Sequence, residues 1–272
     1  MKLPLFQVDA FEEGPFTGNP AAVVPLEEPL DDALMQRIAE ENNLSETAFT
    51  APIPGADPEE PSFALRWFTP TTEVDLCGHA TLAAAAALRD LGALGGADRV
   101  HFSTRSGPLV ALLEGADDVS IDLPAALPEA APSPDQLDAI ERALDAPVES
   151  VFLHRYALAV LPSEEDVRGL SPREDLLRSA GLPIIATAAA DADDLHFVSR
   201  FFAPTLGVLE DPVTGSAHCQ LVPYWAARLG ARELVARQIS TRGGRLRCRL
   251  DGERVQLAGG ARIYLRGTID AG

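Results

Sequence analysis

An internal repeat constrains the fold of this chain more than any other feature of its sequence. The segment Arg66–Pro70, which reads RWFTP, recurs as Arg200–Pro204, which reads RFFAP, at an offset of 134 residues in a chain of 272. Each copy continues as a Pro turn, an acidic loop and a Gly that opens an apolar helix. The repeat therefore predicts two halves with the same order of elements.

The two helices that begin at the repeated glycines predict how each half packs. Gly78 opens a helix whose segment Ala80–Leu88 is apolar all round, which is typical of a helix enclosed by a sheet. Gly215 opens a second helix towards Leu229, and Pro223 inside it is expected to kink the helix or to end one segment there.

Strand-like runs surround both helices. In the first half they are Phe6–Ala10, Thr47–Pro52, Phe63–Phe68, Val100–Thr104, Leu109–Leu113 and Val119–Leu123. In the second half they are Val151–Leu153, Ala157–Leu161, Ile184–Ala189, His196–Phe202, Leu246–Leu250 and Arg254–Leu257, and a last strand is expected at Arg262–Ile269.

Two further helices are expected on the surface. Asp31 has the position of a cap for a helix that reaches about Glu41. Ser171 and Glu174 have the spacing of a capping box before an apolar pair.

A Pro- and Ala-rich segment, Pro124–Pro134, predicts a linker between two domains. We therefore expect an N-terminal domain of residues 1–123, on which a terminal strand at about 260–272 packs, and a C-terminal domain of residues 124–259.

Composition excludes several classes of partner. A formal net charge of -19 disfavours binding to nucleic acid or to anionic membranes, which depends on basic groups. Neither a membrane span nor a signal-peptide pattern is present, so a cytoplasmic location is expected. The cysteines Cys77, Cys219 and Cys248 are widely spaced, which argues against a disulfide framework and a structural zinc site.

Three titratable residues near the repeated glycines are candidates for catalysis. Glu46 follows a polar pair and begins an apolar strand, where partial loss of water would suit a carboxyl that takes and returns a proton; the alternative is a solvated glutamate at a strand edge. His79 lies at a helix start, where the dipole favours neutral imidazole, or it simply satisfies the helix end. Asp211 either caps the second helix or orients a substrate group.

The glycines themselves predict an anion site. A Gly at a helix N-terminus lets a ligand approach unpaired backbone N–H groups, where the dipole adds about half a positive charge. If a pseudo-twofold axis relates the two halves, the helix starts at Gly78 and Gly215 would face each other across a cleft and bind a carboxylate. Taken singly, each glycine is better explained as the end of a loop, but the matched pair favours an anion site.

The sequence resembles the PhzF family over essentially its whole length. The motifs that carry the resemblance are Phe6–Phe11, Phe16–Val23, Leu44–Phe49, Arg66–Pro70 with Glu73, Cys77–Thr81, Glu210–Cys219 and Gln238–Gly244. The resemblance implies an α+β fold of two pseudo-twofold-related domains, each a mixed β-sheet rolled around a central α-helix, as in diaminopimelate epimerase. It also implies an active site in the cleft between the domains and a homodimer.

Membership would make the protein a cofactor-independent isomerase that needs no metal. The founding enzyme isomerises a dihydro-hydroxyanthranilate in phenazine biosynthesis by moving a proton between carbons. At the matching positions, the resemblance implies that Glu46 transfers the proton and that His79 and Asp211 assist it. Ser45 would be a neighbouring polar contact, and Asn19 and Gly18 would line the cleft. The substrate carboxylate would be bound by Gly78, Gly215 and Ser216. The tail at Arg242–Gly244 is more similar to the broad PhzF-like group than to the phenazine enzyme, so the substrate is a small carboxylate-bearing molecule of unspecified identity.

Two other functions stay open. Racemases and epimerases of the same fold use two cysteines, and Cys77 has the position of the first, but the second half offers Thr214 or Pro212, neither of which is a base. A variant that uses Cys77 or Glu46 as its base remains an enzymatic alternative. A non-catalytic protein that binds a small molecule in an inherited cleft is the other.

Overall fold

The computed structural model describes residues 1–57, 59–127 and 130–272, and it confirms the mixed α+β class. Contacts divide the chain into two compact units, one of Met1–Leu123 with Ala258–Gly272 and one of Pro124–Leu257. Pro128 and Glu129 of the predicted linker lie outside the described residues. No helix in the described ranges is long and apolar enough to cross a bilayer.

The first unit is built on strands that surround one helix. Its elements are β1 (Lys2–Glu12), β2 (Asn19–Pro25), α1 (Asp32–Asn42), β3 (Glu46–Pro52), β4 (Ser62–Phe68), β5 (Glu73–Val74), α2 (Gly78–Asp90), β6 (Arg99–Thr104), β7 (Gly107–Glu114) and β8 (Asp118–Pro124). Every residue of α2 from Gly78 to Leu88 is buried, and the helix packs on β1, β2, β3 and β7. The prediction of an enclosed apolar helix is confirmed.

The second unit repeats this plan. Its elements are α3 (Pro134–Leu144), β9 (Ser150–Leu153), β10 (Ala157–Val160), α4 (Glu164–Gly169), α5 (Glu174–Ser179), β11 (Ile184–Ala189), β12 (Phe197–Ala203), β13 (Val208–Asp211), α6 (Gly215–Leu229), β14 (Glu233–Gln238) and β15 (Gly244–Asp251), and β16 (Arg254–Asp270) has residues in both units. In the first unit β1 pairs antiparallel with β2, β2 parallel with β3, β3 antiparallel with β4, β4 parallel with β6, and β6 antiparallel with β7. The second unit has the same succession through β9, β10, β11, β12, β14 and β15. The sequence repeat is therefore a repeat of topology.

The repeated arginines explain why these two pentapeptides are alike. Arg66 donates from Nε and Nη2 to the two carboxylate oxygens of Glu73, at 2.7 and 2.8 Å, and Arg200 does the same to Glu210, at 2.7 and 2.9 Å. Each guanidinium also lies over a phenylalanine ring of its own strand, 5.1 Å away in the first unit and 4.9 Å in the second. We call each of these Arg–Glu pairs a clamp. Each clamp fixes the short strand, β5 or β13, that leads to the start of the central helix, α2 or α6.

Some local predictions were wrong in whole or in part. Pro223 does not end α6, which continues from Gly215 to Leu229. A proline leaves the carbonyl four residues earlier without its helical donor, and the backbone N–H of Ala126 donates to that carbonyl, of Cys219, at 2.9 Å. The continuation of α6 is thus compensated from outside the helix.

The predicted capping box was also wrong, because α5 begins at Glu174 after Arg173, with no side-chain cap. A capping box does exist at Ser133 and Gln136, at the end of the predicted linker, and it begins α3, a helix that was not predicted. By contrast, the Asp31 cap of α1 is confirmed by a hydrogen bond from the N–H of Leu34, at 3.0 Å.

The two strand predictions at the C-terminus describe one strand. Arg254–Leu257 and Arg262–Ile269 both belong to β16, which has 17 residues and is hydrogen-bonded to β8, β15 and β1. In the first unit β16 pairs with β1 from Asp270 opposite Lys2 to Gly260 opposite Glu12. The first and last strands of the first unit, β1 and β16, are thus hydrogen-bonded to each other.

Candidate active site

The first unit collects several of the predicted residues around the start of α2. Glu46 is the first residue of β3, and Asn19 is the first residue of the neighbouring parallel strand β2. His79 is the second residue of α2, which packs against both strands. The three side chains come together because the first residues of β2 and β3 lie next to the start of α2.

Glu46 and His79 form the central contact of this cluster. Nε2 of His79 lies 3.1 Å from Oε2 of Glu46, and the side chains are 6% and 18% exposed. The distance is that of an ion pair, yet neither atom has a hydrogen-bond partner of good alignment among the described residues. The Nε2–H bond of His79 therefore does not point at Oε2 of Glu46, and the contact is an ion pair without a well-aligned hydrogen bond. A carboxyl and an imidazole this close share their protons as one coupled unit.

The electrostatics of His79 differ from the sequence expectation. Burial opposes the imidazolium, but the negative charge of the Glu46 carboxylate, together with the contact to Cys77, outweighs it, so the pKa of His79 is raised well above its usual value. Burial raises the pKa of the Cys77 thiol, so Cys77 carries no charge at neutral pH and Glu46 supplies the attraction there. The helix dipole, which favours neutral imidazole, is outweighed by this nearby carboxylate.

Cys77 is the third chemically active group in contact with the pair. Its Sγ lies 3.5 Å from Nδ1 of His79, and it is buried as a free cysteine just before α2. Glu46, Cys77 and His79 each offer one ligand atom within 4.8 Å of the other two, so these side chains are also a possible metal-binding set.

The predicted lining residues surround this cluster. Asn19 is fully buried, and its Nδ2 lies 3.4 Å from Nδ1 of His79 while its Oδ1 accepts from Oγ of Ser45 at 3.5 Å. Gly18 has a φ of +80°, and a Cβ there would lie 2.6 Å from the carbonyl oxygen of Ala10. Gly18 thus holds the loop against β1 and sets the position of Asn19.

In the second unit the predicted residues lie at the start of α6. Asp211 ends β13 and accepts a hydrogen bond from the hydroxyl of Thr214, and Gln238 donates to its backbone carbonyl at 2.7 Å. Asp211 does not cap the helix, because Thr214 is the N-cap and makes no side-chain cap bond. The capping alternative for Asp211 was wrong.

Ser216, the second residue of α6, lies within 3.0 Å of the hydroxyl of Tyr156. Tyr156 is buried and packs edge-on against Phe201, with ring centroids 4.8 Å apart. Burial raises the pKa of Tyr156, so it presents a neutral hydroxyl. Gly215 begins the same helix and is buried.

The repeat shows that the two units differ in their chemistry. In the first unit, Phe68 of β4 pairs with Thr47 of β3, and Glu46 directly precedes Thr47. In the second unit, Phe202 of β12 pairs with Ile184 of β11, and Pro183 directly precedes Ile184. A proline therefore stands in the second unit where the carboxyl stands in the first.

The helix starts differ in the same way. Aligned by the repeated glycine, Ser216 stands at the position of His79 and Thr214 at that of Cys77. The carboxyl and imidazole thus occur together at only one of these two equivalent positions.

Two residues at this helix start had no predicted site role: Tyr156, and Gln238, which was noted only as the first residue of a family motif. Gln238 closes the turn before α6 by accepting from the N–H of Thr214 at 2.9 Å, and its Nε2 lies 3.2 Å from the Thr214 hydroxyl. The sequence carried no signal for Tyr156, whose partner Ser216 lies 60 residues away along the chain. Nothing in the sequence signalled the partners of Gln238, which lie 24 residues or more away along the chain.

Comparison with known proteins gives a consistent picture. The sequence model of the family described as phenazine biosynthesis-like protein (PhzC-PhzF) matches residues 8–267. An uncharacterized isomerase of Pseudomonas aeruginosa is 49% identical over 271 residues, covering 99% of both chains. A crystal structure of a phenazine biosynthesis protein of the PhzF family from Enterococcus faecalis has a TM-score of 0.90 and 43% identity, covering 99% of this chain and 100% of that one. A hydroxyproline epimerase of Agrobacterium vitis has a TM-score of 0.60 at 11% identity, over 98% of this chain and 92% of that one, and shows the same fold.

Proposed function

The chain belongs to the phenazine biosynthesis-like (PhzC/PhzF) family and is an isomerase, and we propose that it moves a proton within a small carboxylate-bearing substrate by acid/base catalysis centred on Glu46. The family resemblance read from the motifs is confirmed by the family match. The proposed reaction needs no cofactor, because the groups that move the proton are side chains of the protein. The homodimer and the cytoplasmic location stay predictions.

The contact between Glu46 and His79 carries this proposal. At 3.1 Å, with His79 buried and Glu46 mostly buried, the two groups favour one shared proton. As carboxylate, Glu46 can take a proton from a C–H that is acidified by a neighbouring group, and His79, as imidazolium, stabilises the charge on the carboxylate until then. Once protonated, Glu46 can return the proton to another carbon of the same substrate.

The start of α2 supports binding of the substrate carboxylate beside this pair. The first N–H groups of a helix have no partner within the helix, and the N-cap residue Cys77 makes no side-chain cap bond. An anionic substrate group at Gly78 would accept from these N–H groups and benefit from the helix dipole. In the second unit Asp211 and Ser216 are proposed to bind polar groups of the substrate, because both lie at the equivalent helix start.

A direct test is a screen of small carboxylates for incorporation of solvent deuterium, followed by mass spectrometry and NMR. Glu46→Gln, which keeps the shape but cannot carry the proton, is expected to lower turnover by about 10²- to 10⁴-fold. Glu41→Gln, an exposed residue at the end of α1, is the matched control and is expected to leave turnover unchanged. Equal activity of wild type and Glu46→Gln would refute the proposal.

Cys77 supports a second candidate function, an epimerase or racemase with Cys77 as one base. The observation in its favour is the 3.5 Å contact of Sγ with Nδ1 of His79, because an imidazolium at this distance would stabilise the thiolate of Cys77 once its proton has left. Exchange at the α-carbon of an amino acid that is abolished by Cys77→Ser but survives Glu46→Gln would favour this candidate. If both Cys77→Ser and Glu46→Gln keep full affinity for a ligand that no preparation turns over, the binding-protein alternative holds instead.

A further inference from the structure

We propose that Glu46, Cys77 and His79 form a site for one Zn²⁺-like cation, and that its occupation inhibits the enzyme. The three ligand atoms, one oxygen, one sulfur and one nitrogen, lie within 4.8 Å of one another. A set of this kind, with imidazole, thiolate and carboxylate, is what zinc prefers and what magnesium and calcium do not. The inhibition rests on the proposed function, whereas the binding of the cation does not.

The distance between two of the ligand atoms already fits such an ion. Zinc bonded at about 2.3 Å to sulfur and about 2.0 Å to nitrogen, with a tetrahedral angle between them, separates the two atoms by about 3.5 Å. Sγ of Cys77 and Nδ1 of His79 are 3.5 Å apart. The cysteine and the histidine therefore need little rearrangement to hold the ion together.

Glu46 is placed to complete the set from the more exposed side. Its side chain is 18% exposed, whereas that of His79 is 6% exposed, so an ion that enters from water reaches the carboxylate first. The ion would lie on Nδ1 of His79, so the carboxylate of Glu46 turns away from Nε2 to reach it; this turn breaks no well-formed hydrogen bond, because Oε2 lacks an aligned partner among the described residues. Three protein ligands leave a fourth position for water, as in open zinc sites.

The electrostatics favour entry of a cation. The net charge of -19 raises the concentration of cations near the protein. Binding releases the proton of the Cys77 thiol and one proton of the His79 imidazolium to solvent, and the ion then stabilises the thiolate that burial otherwise disfavours. Once bound, the ion occupies the carboxylate that carries the proton and the imidazole that assists it, so isomerisation stops.

The test is titration of the intact, metal-free protein with Zn²⁺ by calorimetry and by competition with a chromophoric chelator. We expect one ion per chain, no binding of Mg²⁺, and a loss of affinity of at least about tenfold in Cys77→Ser and in Glu46→Gln. Cys248→Ser and Cys219→Ser remove buried thiols of the second unit and are expected to bind as wild type does. Thermal melting confirms that each variant is folded, and Glu46→Gln, at a partly exposed position, covers the case in which Cys77→Ser does not fold.

Substitution by Co²⁺ adds a spectroscopic test. A thiolate-to-cobalt charge-transfer band is expected in the wild type and in Cys248→Ser, and it should be absent in Cys77→Ser. Unchanged zinc affinity in folded Cys77→Ser or Glu46→Gln, or loss of binding in Cys248→Ser alone, would overturn the site. Turnover is measured first without metal: an active enzyme that binds no zinc contradicts only this inference, whereas a zinc-binding protein without turnover contradicts only the proposed function.

Discussion

Replacing Arg200 by Met tests whether the repeated clamps hold the second unit together. Arg200 is 13% exposed and Glu210 is 19% exposed, and they share two hydrogen bonds of 2.7 and 2.9 Å. Arg200 also donates to the carbonyl oxygen of Leu170, at 2.6 Å, and lies over Phe202. Methionine keeps most of the aliphatic stem but leaves the carboxylate of Glu210 mostly buried and unpaired.

The expected magnitude follows from these contacts. Breaking a buried ion pair costs about 3–5 kcal/mol, and the residual exposure of both groups lowers this to about 2–4 kcal/mol for the folded unit. The loss should appear in the second unit, which contains Trp225, whereas Trp67 belongs to the first. Urea unfolding followed by fluorescence in a Trp67→Phe background reports on the second unit.

The control for Arg200→Met is Arg173→Met, because Arg173 and Asp175 form a pair on the surface, 72% and 63% exposed. No measurable change is expected there, since solvent screens such a pair. If Arg200→Met shifts the unfolding midpoint no more than Arg173→Met, the clamp does not stabilise the unit and our explanation of the repeat is wrong.

Three further changes probe the site itself. Gly18→Ala should lower the free energy of unfolding by about 1–3 kcal/mol, because its Cβ would lie 2.6 Å from a backbone oxygen, and it should lower turnover by displacing Asn19. Gly115→Ala, also at positive φ but with open space around it, controls for backbone strain alone in urea unfolding. His79 has a raised pKa in the fold, so the stability that its charge contributes is fully present below the unfolded pKa of about 6.5 and is lost as the pH rises through the folded pKa. The melting temperature of His79→Gln should therefore fall furthest below that of the wild type at the acidic end of this pH window. A difference that does not change with pH would contradict the pairing of His79 with Glu46. Tyr156→Phe removes the hydroxyl next to Ser216 and should cost about 1 kcal/mol in urea unfolding, whereas Tyr264→Phe, at an exposed ring, should cost nothing measurable.

The sequence predicted the parts of the fold that depend on local pattern and on repetition. Strands such as Ile184–Ala189 and the enclosed helix after Gly78 follow from apolar runs, and the motifs identified the family. The helix at Pro134–Leu144 was missed because it begins at the last residue of the Pro- and Ala-rich segment that predicted a linker, and the capping residues Ser133 and Gln136 were overlooked. Strand β2 was missed because Asn19–Pro25 includes two prolines, which are tolerated only where their missing N–H is not needed.

The candidate site was less accessible to sequence reasoning, because it depends on contacts between distant segments. The sequence gives no distance between Glu46 and His79, and it supported a neutral imidazole from the helix dipole alone. The carboxylate 3.1 Å away reverses that expectation. Cys77 was considered only as a base of a racemase or epimerase, with or without a second cysteine, whereas the fold sets it against the imidazole.

A proton-transfer experiment within single turnovers tests most directly whether one carboxyl carries the proton. A substrate found in the carboxylate screen is labelled with deuterium at its labile carbon and is converted in ordinary water under single-turnover conditions. Because Glu46 is only 18% exposed, we predict that a measurable fraction of the product holds the substrate's deuterium at the new carbon. Glu46→Gln is expected to form product about 10²- to 10⁴-fold more slowly. A product whose new hydrogen comes entirely from water, formed equally well by Glu46→Gln, would contradict the account.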